Sequence, residues 1–95
     1  MSYPRPQSKH SRIVAALANC SRALRPVSED RFDVILNDET IGYVQRERRQ
    51  THTGAYRVMW YPYEPNGRAV GPWNAYVDQF NAGRALSWDH LRRSV

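Results

Sequence analysis

Hydrophobic positions along the chain change their spacing more than once. Ile13, Leu17, Cys20 and Leu24 recur at intervals of four, three and four, which places them on one stripe of a helix. Ser8 or Ser11 serves as its N-cap and Pro26 ends it, with Arg12, Arg22 and Arg25 projecting from the far side. From Phe32 onward the interval falls to two. Phe32, Val34 and Leu36 alternate with Asp33, Ile35 and Asn37, the pattern of a half-buried strand, and Asn37-Asp38-Glu39 supplies turn chemistry. A second strand over residues 40–49 starts with Ile41 and Tyr43 and turns basic towards Arg46, Arg48 and Arg49. After a loop at residues 50–54, Tyr56, Val58 and Trp60 point one way, with Arg57, Met59 and Tyr61 pointing the other.

Pro65-Asn66-Gly67 reads as a hairpin turn, and residues 68–70 as a brief fourth strand ended by Gly71-Pro72. Trp73, Tyr76, Val77 and Phe80 then stand at i, i+3, i+4 and i+7, a helical core face stopped by Gly83. Ser87 caps a short last helix carrying Trp88, Leu91 and Val95 on one side. The expected fold is therefore α+β. An N-terminal helix precedes a three- or four-stranded antiparallel meander, a C-terminal helix and a short last helix, with the helices in one layer on one sheet face. The other face is left wet or open to a partner. The expected core is Ile13, Leu17, Leu24, Phe32, Val34, Val58, Tyr76, Val77 and Phe80.

Ninety-five residues make one domain, here residues 8–95, preceded by an extended arm at residues 1–7 that contains Pro4 and Pro6. The helix, three strands and helix over residues 8–82 resemble the double-stranded-RNA-binding domain in element order. That family grips phosphates from the start of its last helix. The matching stretch here, residues 73–82, has no basic residue and contains Asp78, so the resemblance does not extend to that grip.

Cys20 is the lone cysteine, which points to a reducing, cytoplasmic setting and a buried thiol. No apolar run approaches the roughly 20 residues that span a bilayer. The run at residues 13–18 is too short for the core of a signal peptide, and Asn19 before Cys20 does not suit lipoprotein processing. His10, His52 and His90 lie far apart and every glycine is isolated, so neither a metal site, a phosphate-cradling loop nor another cofactor site is expected. Asp89 beside His90 does not form a catalytic pair, because neighbours on a helix point apart. The expectation is a protein that is not an enzyme.

Charge carries the remaining signal. The formal net charge is +5, and thirteen of the fourteen basic residues are Arg. The first 28 residues hold five basic side chains and no carboxylate, and residues 29–95 hold nine of each sign. Two kinds of partner fit. One is nucleic acid, DNA or RNA, whose phosphates accept from guanidiniums at Arg12, Arg22 and Arg25 on the helix and at Arg46, Arg48, Arg49 and Arg57 on the second hairpin. The other is an acidic protein surface, met by Tyr61 and Tyr63 as interface anchors in an accessory module of the phage or mobile-element kind, which retunes a host machine. Seven of the 25 residues from Tyr56 to Phe80 are aromatic, which leaves some available for contact. A homodimer through the same surface also fits.

Overall fold

The computed structural model describes residues 8–71 and 75–94. Its elements are α1 (Lys9–Asn19), β1 (Arg22–Ser28), β2 (Arg31–Leu36), β3 (Glu39–Gln50), β4 (Tyr56–Tyr63) and α2 (Gln79–Ser94). The strands form one antiparallel sheet in the order β1-β2-β3-β4. The fold is α+β, with helices packed on one face of a four-stranded antiparallel meander.

Two boundaries differ from the sequence pattern. The first helix stops at Asn19, not at Pro26, and residues 22–28 form the edge strand β1. The cause is a competing partner: Asn37 accepts from the Ser21 amide through its side chain at 3.0 Å and donates its own amide to the Ser21 carbonyl at 2.8 Å. These bonds draw the chain against β2. Leu24 continues the helical stripe in sequence, but it reaches the core from a strand, opposite Val34. Arg22 and Arg25 consequently lie on β1 and not on the helix. The fourth strand is β1, whereas residues 68–70 contribute only the isolated Tyr63–Ala69 bridge. With four strands between its helices, the chain also departs from the element order of the double-stranded-RNA-binding domain.

The second difference lies at the C-terminal helix. Tyr76 exchanges backbone hydrogen bonds with Trp60 at 2.8 and 2.9 Å, so residues 75–78 run along the outer edge of β4. The helix starts after Asp78, whose carboxylate caps it by accepting from the Asn81 amide at 2.8 Å. It then runs through Gly83 and Ser87 without a break, one helix in place of two. Gly83 is buried because a Cβ there would stand 3.1 Å from Leu24 and 3.7 Å from Val34. The missing side chain lets α2 approach the sheet closely. Ser87 is fully buried and donates to the Gly83 carbonyl at 2.9 Å, which satisfies its hydroxyl inside the helix. Residues 1–7, Trp73 and Val95 lie outside the described residues.

The core joins Val34, Leu36, Ile41, Val44, Trp60, Ala82 and Leu86, with Leu24, Phe32, Tyr76 and Leu91 packed around it. Ile13 is buried where α1 meets α2, and Leu17 is half-buried. Val58, Val77 and Phe80 are not core residues: they are 57%, 75% and 65% exposed. Val77 precedes the helix and Phe80 lies in its first turn, before α2 reaches the sheet centre. Val58 lies where the sheet has narrowed to two strands.

The β2–β3 turn places Asn37 and Asp38 at φ of 50° and 66°, the two-residue geometry that both side chains tolerate. Ile41 is the extra residue of a bulge opposite β2. Beside it, Gly42 has no room for a side chain: a Cβ would lie 2.2 Å from the Tyr63 carbonyl oxygen and 2.9 Å from Leu86.

Candidate nucleic-acid interface

β3 and β4 outrun the rest of the sheet. The last bond from the β2 side to β3 is Arg46 N–H to the Asp30 carbonyl at 2.7 Å, and the last from the outer side to β4 is at Trp60. Beyond these, Glu47–Met59, Arg48–Val58, Arg49–Arg57 and Gln50–Tyr56 are paired only with each other among the described residues. At about 3.3 Å per residue, the hairpin extends roughly 13 Å past the sheet before its loop. The loop is ordered by Thr51 N–H to the Ala55 carbonyl at 2.7 Å, and Gly54 takes a φ of 89°. His52 is exposed at this tip. The unsupported portion is termed the arm.

Strand alternation sorts the arm's side chains. Arg48, Gln50, Tyr56 and Val58 share the face that, nearer the core, carries Val44 and Trp60 against α2. All four are exposed. Arg48 lies 4.5 Å from the Tyr56 ring centroid, and Arg46, one pair inward, is 5.7 Å from Trp60 while its Nε donates to Asp30 at 2.7 Å. These aromatic surfaces hold the guanidiniums without neutralising them.

The opposite face is the side of the sheet that no helix covers, and it covers itself. Arg25, Asp33, Tyr43 and Tyr63 form one row across all four strands. Arg25 donates to Asp33 at 2.8 Å, and Tyr43 stacks on Tyr63 with centroids 5.0 Å apart. Arg31 lies 3.8 Å over Tyr43 and Arg49 lies 3.6 Å over Tyr61. The Tyr63 hydroxyl donates to Glu47 and accepts from Arg49 at 2.8 Å, and Arg49 also donates to Glu47 at 3.0 Å. Burial, then the hydrogen bond and negative charge of Glu47, push Tyr63 up to about 12. Burial opposes the charge on Arg49, but Glu47 together with Tyr63 and Tyr61 outweighs it and raises the guanidinium above its ordinary value. The Nε of Arg31 is buried without a hydrogen-bond partner.

The basic residues marked by the sequence thus divide among several surfaces. Arg12 is exposed on α1, Arg22 sits on the helix side of β1, and Arg25 is tied to Asp33 on the open side. They share no face. Arg46, Arg48, Arg49 and Arg57 are brought together on the hairpin. Of these, Arg46 and Arg49 are in ion pairs, while Arg48 and Arg57 make none among the described residues. Tyr61 and Tyr63 are adjacent but half-buried within the Arg–Tyr array. Sequence reasoning missed Arg31 and Tyr43 as members of that array. The signal available was their position on alternating strands next to Asp33 and Tyr61. No group of three His, Cys, Asp or Glu able to hold a metal occurs among the described residues, and no helix there is long and apolar enough to cross a membrane.

No protein-family model matches the chain, and no curated protein or solved structure matches it. The functional reading therefore stands on geometry and charge.

Proposed function

We propose that the protein is a small, non-enzymatic nucleic-acid-binding protein whose contact element is the arm. One observation carries this reading: a two-stranded ribbon leaves the sheet bearing Arg48, Arg49 and Arg57 against the single carboxylate Glu47, with Arg46 at its root paired to Asp30. Glu47 is already engaged by Arg49 and Tyr63. Arg48 and Arg57 are left as uncompensated cations on opposite faces, ready for phosphate oxygens. Folding supplies no internal reason for this concentration of charge, because the arm adds little to the core and a bare ribbon is marginal by itself.

The test is a titration of labelled duplex and single-stranded nucleic acid at two salt concentrations. Affinity falls steeply with salt, and changing Arg48 and Arg57 together to Ala flattens the dependence by about one unit for each of the two that neutralises a phosphate. Since neither is in an ion pair, the double variant keeps its fold. Absence of binding at low salt would overturn the reading. It would favour a protein partner, for which Val77 and Phe80 are the relevant exposed side chains. They adjoin a groove of about 1000 Å³ between α1 and α2, lined by Val14, Leu17, Leu36, Tyr76 and Trp88 with Arg22 and Arg84.

A further inference from the structure

The two faces of the arm are chemically unlike, and the difference bears on what it contacts. The open-side face carries Glu47, Arg49, Met59 and Arg57. Pressed onto base pairs, it would bring a carboxylate against a surface rich in acceptors, with Arg49 already committed to Glu47 and Tyr63. The helix-side face carries Arg48, Gln50, Tyr56 and Val58, all exposed and with no carboxylate among them.

The geometry points to the helix-side face as a base-reading surface that enters the major groove of duplex DNA. This inference rests on the reading that the arm binds nucleic acid, and it specifies which nucleic acid and which side chains. A guanidinium forks onto guanine O6 and N7, a carboxamide pairs with adenine N6 and N7, and a branched apolar group packs on the thymine methyl. Arg48 and Val58 face each other across the ribbon and Gln50 is the next residue along that face of β3, so the three groups lie side by side. Tyr56 holds Arg48 from the side, so the fork is oriented before contact. Gln50 uses Nε2 once, donating to the Gly54 carbonyl at 3.2 Å, and its second N–H and its oxygen are the groups that would pair with an adenine edge. A two-stranded ribbon fits a groove about 12 Å wide and does not fit the minor groove at about 6 Å. It is likewise excluded from the deep, narrow major groove of duplex RNA. Arg57, on the outward face near the loop, is left for phosphate.

The experiment is selection of a random duplex DNA library with the full chain, followed by affinity measurements on the enriched duplex, an unrelated DNA duplex and an RNA duplex of the same sequence. The expected result is a short enriched sequence containing guanine, bound more tightly than either competitor. Arg48→Lys keeps the charge and loses the fork. It lowers affinity for the enriched site roughly tenfold and leaves the unrelated duplex nearly unaffected. Arg57→Ala weakens all DNA duplexes alike. Equal affinity for every DNA sequence, or for DNA and RNA duplexes, overturns base reading and leaves the arm as a phosphate contact. Loss of sequence preference in Arg49→Lys with preference intact in Arg48→Lys overturns the choice of face. Absence of any duplex binding at low salt removes this inference and the nucleic-acid reading together.

Discussion

The same two strands lead two different lives at their two ends. Near the core, Val44 is fully buried and Trp60 is 7% exposed, because β2 lies on one side, Ala69 and Tyr76 on the other, and α2 across the face. Two residues from Trp60, on the same strand and the same face, Val58 is 57% exposed. Alternation is unchanged between them; only the neighbours have gone. A side chain's strand position fixes which way it points, whereas burial depends on whether another element is there to meet it. The chain stops providing neighbours at the place where arginines become frequent. That coincidence is what supports the proposal that the arm is a contact element.

Truncations beneath the core end of the strands and on the arm provide the strongest test of this contrast. Leu86→Ala empties space beneath the sheet and should cost about 2–5 kcal/mol of unfolding free energy. Val58→Ala on the arm should stay within about 0.5 kcal/mol, as surface changes do. Denaturant unfolding followed by circular dichroism measures both, and comparable losses would mean that the arm is packed in solution. Gly42→Ala tests how tightly the near end is held. Its Cβ would meet the Tyr63 carbonyl and Leu86, and an overpacked site of this kind loses about 1–3 kcal/mol. A neutral result in the same assay would show that β3 and β4 separate freely at the bulge.

The smallest effect concerns the link between the two ends, where Tyr63 near the core reaches Glu47 and Arg49 at the root of the arm. In the folded chain Tyr63 keeps its proton to about 12, against an ordinary value of 10.0. The unfolded chain releases that proton first as pH rises. The contribution to stability is therefore complete below pH 10 and is lost as pH approaches 12. Tyrosinate absorbance should show one late-titrating tyrosine that disappears in Tyr63→Phe. If the late step persists in that variant, another tyrosine carries it; Tyr76, also raised by burial, is then the candidate.

The fold class was legible because Phe32, Val34 and Leu36 alternate cleanly and Asn37-Asp38 names its turn. The edge strand β1 was not. Its central leucine fits a helical interval as well as a strand one, and only the distant Asn37 decides between them. The stripe of α2 was hidden for a different reason. Ala82, Gly83 and Ser87 are small, and small residues carry no hydrophobic signal, while the conspicuous Tyr76, Val77 and Phe80 precede or only begin the helix. At the candidate site, the hairpin arginines could be read from alternation. That Arg22 and Arg25 lie apart from them depends on the strand assignment. The pairing of Tyr43 with Tyr63 follows from register alone, which a single sequence does not display.

The cover along β4 also bears on misassembly. Ala69 and Tyr76 block its outer edge at Tyr63 and Trp60, and Pro62 has no amide to offer. Past Trp60 the outward backbone groups of Val58 and Tyr56 have no partner among the described residues, the kind of edge on which extended chains add to one another and grow into fibrils. Within Tyr56-Arg57-Val58-Met59-Trp60-Tyr61-Pro62-Tyr63, Arg57 is the only charged residue. Its charge stands where a gatekeeper residue is expected to keep two such edges from zipping together.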